Sequence, residues 1–304
     1  MEKNLLIQRI NELKEKHKAV ILAHNYQPIE IQDVADYTGD SLGLSIEAGK
    51  CNEDVIVFCG VSFMAETAKI ISPEKTVLLP AQDAGCPMAD MITGEQLKKF
   101  KAKHRGAKVM CYVNSTAEVK AESNICCTSS NAVKIAEQAF TREDTILFVP
   151  DQNLGTYVAD NTGRNVINWY GFCPTHDKMT VQMVQNAREQ HPGAEVIVHP
   201  ECRMDVIHAA DSALSTGQMQ RYVTESRTKE FIIGTEIGMI DRLKKDNPGK
   251  EFYPVTSNIV CPNMKKNTLE KVLNCLESMS GEVTLDPEIS KAAKASIERM
   301  FAYS

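Results

Sequence analysis

Cys86, Cys173 and Cys261 each open a Cys-Pro step, in GCPMAD, FCPTHD and VCPNMKK, and lie 87 and 88 positions apart. A thiolate is both a nucleophile and a soft metal ligand. Three of them at one repeat interval would meet if three similar units packed around a pseudo-threefold axis. Three thiolates can hold a 4Fe–4S cluster and leave its fourth iron open, and an open metal position permits Lewis-acid chemistry. The competing reading is three buried thiols that serve packing alone, cysteine being among the most buried residue types. Spacing by itself leaves both readings open. The chain has no C-x-x-C, which argues against a ferredoxin-type cluster and a zinc ribbon.

Two more columns keep the same phase. His24, Tyr112 and His199 are separated by 88 and 87 positions, and Ser41, Ser129 and Thr216 each follow them by 17. Tyr26, Asn114 and Glu201 stand two residues beyond the first column. Imidazoles, phenols, an amide and a carboxylate gathered together suit a small oxygenated anion and proton transfers on it. Hydroxyl residues that open helices cap the backbone, and the same N–H groups can cradle an anion. His176, three residues after Cys173, is a weaker candidate. Cys51, Cys59, Cys202 and Cys275 read as packing residues, while the adjacent Cys126 and Cys127 stand near the hydroxyl column.

These residues need elements to carry them. AVILAHNY, KVMCYVN and EVIVHPE are apolar β-branched runs, each preceded by an amphipathic helical segment. A second strand set follows in DVIVFCG, DTILFVP and EFIIGTE. Continuous apolar strands alternating with helices mark parallel sheets covered on both faces. The first column then ends the first, fourth and seventh strands, where open α/β sheets bind ligands. The expected fold is α/β, with three similar three-layer α/β/α domains and parallel sheets around a pseudo-threefold axis. The expected boundaries are 1–80 with 265–304 returning to it as C-terminal helices, then 81–170 and 171–264.

Bulk properties exclude other classes. The net charge of −6 argues against a nucleic-acid binder, which usually shows a basic face. No apolar run reaches the roughly 18 residues of a membrane span. The charged N-terminal segment lacks the h-region of a signal peptide. A cytoplasmic location is therefore expected, where ten cysteines would stay reduced.

AHNYQ, GCPMAD, CYVNST, GFCPTH, VHPEC and NIVCPNMKK, in that order, resemble the motifs of the quinolinate synthase family over nearly the whole chain. The resemblance implies condensation of iminoaspartate, made by L-aspartate oxidase, with dihydroxyacetone phosphate. The products would be quinolinate, water and phosphate, on the way to NAD. It implies one 4Fe–4S cluster on Cys86, Cys173 and Cys261, with one open iron. It implies substrate contacts from His24, Ser41, Tyr112, Asn114, Ser129, His199, Glu201 and Thr216. Glu201 would act as general base and Tyr26 in proton transfer, with His24 and His199 beside them. It also allows a homodimer. The C-x-x-C-x-x-C tail of some members is absent, as the chain ends in IERMFAYS. Two other readings remain for the residues alone: a cluster-dependent hydro-lyase on another carboxylate, and an electron-transfer or iron-sensing protein.

Overall fold

A computed structural model describes residues 3–303. Its strands form three sheets of four, all parallel. The first holds β1 (Ala19–His24), β2 (Tyr37–Gly39), β3 (Val55–Cys59) and β4 (Thr76–Leu78). The second holds β5 (Lys108–Tyr112), β6 (Ile125–Cys127), β7 (Thr145–Val149) and β8 (Asn165–Asn168). The third holds β9 (Glu195–Val198), β10 (Ser212–Ala213), β11 (Glu230–Gly234) and β12 (Glu251–Pro254). Each sheet has its second strand at one edge, then the first, third and fourth. Central strands such as β1 and β3 are buried along their whole length, as their unbroken apolar runs require.

The triplication extends to a side chain at each sheet edge. Asp36, Asn124 and Asp211 each donate a main-chain N–H to the carbonyl of Ile21, Val109 or Val196. Their side chains accept the N–H of that same residue, at 2.8, 2.7 and 2.8 Å. One short polar side chain thus completes the ladder before the edge strand begins. Asn124→Ala leaves the Val109 N–H without its acceptor and should cost about 1–3 kcal/mol, read as a lower urea midpoint at unchanged slope.

Two sequence expectations are corrected. The first-column residues lie at β1, β5 and β9, not at the first, fourth and seventh strands. Short edge strands of two or three residues, among them Ser212–Ala213, show no period and escape sequence reading. The C-terminal helices also part company. Leu269–Ser278 joins the helix Lys3–His17 against the first sheet. Pro287–Phe301 lies instead over β6 and the helix Ala117–Ala121, where Ala293, Ile297 and Met300 enter the core of the second sheet. Its apolar stripe finds the open face of that sheet, and Ser296 donates to the Lys120 carbonyl at 2.9 Å.

Among the described residues, no helix is long and apolar enough to cross a membrane.

Candidate active site

The carboxyl ends of β1, β5 and β9 face one cavity of about 170 Å³. His24, Tyr112 and His199 line it, as do Tyr26, Asn114 and Glu201. So do the hydroxyl column and all three cysteines of the Cys-Pro steps. Each cysteine comes from the loop after the last strand of a different sheet: β4, β8 and β12. Val61, Phe63, Met64 and Met88 form an apolar side.

The hydroxyl residues are not the caps expected of them. Asp40 caps the helix Ser41–Lys50 by accepting the Gly43 N–H, and Ser215 caps Thr216–Glu225 by accepting that of Gln218. Ser41 and Thr216 are the first helical residues, one position later. The helix after Ser129 begins only at Ala132. With capping done by Asp40, Ser41 keeps its hydroxyl for the cavity, whereas Ser129 Oγ lies 3.3 Å from His199 Nε2 and Thr216 accepts an amide N–H of Asn25 at 3.2 Å.

Glu201 is buried, and both its oxygens are engaged. Tyr112 donates its hydroxyl to Oε1 at 2.7 Å, and Asn114 its amide at 3.3 Å. His176 Nδ1 lies 2.7 Å from Oε2, and His199 Nδ1 3.7 Å. Burial alone would raise the Glu201 carboxyl, but its favourable electrostatic interaction with the His176 and His199 rings outweighs it. Hydrogen bonds from His176 and Tyr112 add to this, and the pKa ends well below the usual carboxylate range. Glu201 is thus an anion at neutral pH, able to accept a proton. Burial pushes the Tyr26 and Tyr112 phenols well up, reinforced by Glu201, so both stay protonated and can donate.

His176 is more central than its sequence suggests. It joins Glu201 to Thr235, whose Oγ1 lies 2.8 Å from Nε2 and 2.6 Å from the Tyr26 hydroxyl. Sequence reading missed Thr235. Its signal was available: it directly follows β11, a strand-end position of the kind used to select His24 and His199. Cys126 and Cys127 are fully buried and do not line the cavity, Cys126 pairing with Ser296 at 3.3 Å.

Burial lowers the pKa of His24 to about 3, with Lys265 adding to it and Glu201 opposing. His199 is likewise lowered to about 3 by burial, against Glu201 and with His176 and His24. Between pH 6.5 and 3 the unfolded chain therefore binds protons that these two rings refuse. Stability should fall as pH drops through that window, by up to about 1.4 kcal/mol per unit for each ring. Urea midpoints at pH 7 and 5 test this, and His199→Gln should flatten the slope.

The cysteines fit a cationic metal centre. Burial pushes the Cys86 thiol up to about 12, and Cys173 and Cys261 also rise. Cys86 interacts with both of the others, so three bare thiolates would repel one another here. Main-chain N–H groups of Ala89 and Met88, of His176, and of Met264 and Asn263 offset part of this at the respective sulfurs. Metal-bound thiolates carry this charge readily, and N–H groups aimed at sulfur are a means by which proteins tune iron–sulfur centres. Among the described residues, no fourth cysteine lines the cavity. A second grouping overlaps this set: ligand atoms of Cys173, His176 and Glu201 lie within 4.8 Å of one another.

Residues 8–302 match the family model described as "NadA: Quinolinate synthetase A protein". The chain is 55% identical over 300 residues to a quinolinate synthase of Dehalococcoides mccartyi (strain CBDB1), covering 99% of both. It is 53% identical over 298 residues to one from Methanoregula boonei (strain DSM 21154 / JCM 14090 / 6A8), covering 98% of both. Against the quinolinate synthase of Alkaliphilus metalliredigens (strain QYMF) it is 49% identical over 301 residues, 99% of both. With a match that runs through all three sheets and every Cys-Pro step, the chain belongs to the quinolinate synthetase A family.

Proposed function

We propose that the protein condenses iminoaspartate with dihydroxyacetone phosphate, releasing quinolinate, phosphate and water in the route to NAD. The observation that carries this is the gathering, within one cavity, of three cysteines and the Glu201 network. Cys86, Cys173 and Cys261 would hold a 4Fe–4S cluster. When bound, it would supply a Lewis acid at its open iron to polarise an oxygen leaving group.

The other steps belong to the chain's own side chains. Ser41 and Ser129 offer hydroxyls on the cavity wall, and Asn114 and Thr216 sit beside them to orient carboxylate or phosphate oxygens. Glu201 removes a proton next to a carbonyl, and Tyr112, already bonded to it, fixes its direction. Tyr26 returns a proton to a departing oxygen. His24 and His199 stay neutral, so they can accept or donate hydrogen bonds without adding charge. Burial of these groups excludes water from a reactive imine substrate. The reading also places the protein in the cytoplasm, downstream of an L-aspartate oxidase that supplies the imine.

A single metal ion on Cys173, His176 and Glu201 is the second reading, favoured by their mutual closeness. Against it, both Glu201 oxygens already accept hydrogen bonds, and Cys86 and Cys261 would have no role. Anaerobic purification separates the two. About four irons and four sulfides per chain, with quinolinate formed from the two substrates, are expected. One metal without sulfide would overturn the cluster, and a loaded protein that forms no quinolinate would overturn the reaction.

A further inference from the structure

Lys120 is the one buried lysine among the described residues, with no exposed surface, and no step proposed above uses it. An ammonium taken out of water is costly unless its protons find acceptors. Lys120 Nζ donates to the main-chain carbonyl of Ser115 at 2.5 Å and stands over the Phe63 ring, 5.5 Å from its centroid. Burial lowers its pKa, and Glu66, Cys126, Cys111 and Cys86 act against that, in this order. The Lys120 backbone is itself fixed, its N–H donating to the Thr116 carbonyl at 3.1 Å and its carbonyl accepting from Ser296 at 2.9 Å.

Ser115 belongs to the short loop, residues 113–116, that joins β5 to the helix Ala117–Ala121 and carries Asn114. The Ser115 hydroxyl donates back to the Tyr112 carbonyl at 3.0 Å and lies 3.0 Å from Cys111 Sγ. At the far end of the loop the Ala117 N–H donates to Glu66 at 2.9 Å, a residue of the helix Ser62–Ile71. The loop is thus tied down on the side away from the cavity, which neither Lys120 nor Ser115 lines. Asn114 faces the other way. Its Nδ2 donates to Glu201 at 3.3 Å, and its buried Oδ1 has no partner among the described residues. That oxygen is left to accept an N–H or O–H of the substrate.

We propose that Lys120 is a positioning residue, whose ammonium on the Ser115 carbonyl holds the loop so that Asn114 keeps Nδ2 on Glu201 and offers Oδ1 to the substrate. This inference rests on the reading of Asn114 and Glu201 as residues that face the substrate. The held carbonyl lies one residue beyond Asn114, so freeing it loosens the backbone that aims this side chain. A charged donor makes the tie stronger than a neutral one would. The supporting groups around a reacting centre set its geometry, and small displacements there are expensive.

The test is a mutant cycle on the loaded enzyme. Lys120→Met keeps the length of the side chain and removes the ammonium. It should lower kcat/KM by about 10- to 100-fold, the scale of a misplaced reacting group, with iron and sulfide content as in wild type. Lys120→Gln, which retains a donor for the Ser115 carbonyl, should recover most of the loss. In an Asn114→Ala background Lys120→Met should cost little further, because the two act as one unit. Equal losses in both backgrounds would overturn the proposal, as would full activity in Lys120→Met. Ser115→Ala leaves the buried charge in place and decides the matter should Lys120→Met fail to fold. It should lose about 2- to 10-fold, the scale of one hydrogen bond, and only while Asn114 is present. A loss that ignores Asn114 would again overturn the proposal.

A second measurement does not depend on turnover. In a crystal structure of Lys120→Met beside that of wild type, the Asn114 amide should lie out of hydrogen-bond reach of Glu201. An unmoved loop would overturn the proposal. Wild-type protein that forms no quinolinate would instead sink the proposed reaction, and the crystallographic comparison would still judge the role of Lys120.

Discussion

Glu201→Gln should lower turnover by roughly 10²- to 10⁴-fold while leaving iron and sulfide content unchanged. The substitution keeps the size of the side chain and one carbonyl oxygen for Tyr112, so the cavity keeps its shape. What disappears is the negative charge held between His176 and His199 and the capacity to take a proton. An amide is no base at neutral pH, and its NH₂ would also face the ring nitrogen of His176. The loss should therefore appear in kcat and not in cluster loading. Normal turnover in Glu201→Gln would remove this carboxylate from the chemistry.

Serine at Cys86, Cys173 or Cys261 should empty the site of iron and sulfide. Turnover should fall by at least about 10²-fold, the scale of losing the main electrostatic stabiliser of an active site. A hydroxyl is far harder to deprotonate than a thiol and is a poor ligand for iron–sulfur centres. Cys51→Ser and Cys127→Ala are the controls, since neither lines the cavity. Both should retain iron. Metal analysis of anaerobically purified proteins decides, and full iron in any of the three cavity variants would remove that cysteine from the ligand set.

How much of this was legible beforehand follows from what a repeat can reveal. The cysteine and histidine/tyrosine columns could be read because three copies kept their phase, which isolated strands do not do. The parallel α/β class followed from unbroken apolar runs such as VIVFC, buried along their whole length. Hidden features lacked either a period or a counterpart. A two-residue edge strand, Ser212–Ala213, has no pattern to detect. Capping was assigned to Ser41 and Thr216 because a hydroxyl at a helix start usually caps, yet Asp40 and Ser215 stand one residue earlier and take that role. Both neighbours are competent caps, and only backbone direction distinguishes them. Thr235 has Gly60 and Pro150 at the corresponding strand ends, so no column marked it. The landing place of Pro287–Phe301 depended on which sheet face remained open, a property of the assembled molecule.

The origin of the three cysteines in loops behind β4, β8 and β12 has a consequence for biosynthesis. A ribosome releases Cys86 well before Cys173, and Cys173 well before Cys261. If the proposed cluster sits on these three cysteines, its loading would have to wait until Cys261 has been made, and the newborn chain would pass through an interval with Cys86 and Cys173 bare. On that reading, delivery of iron and sulfide would be coupled to synthesis of the third sheet, and a chain stopped before Cys261 could not assemble the three-thiolate site.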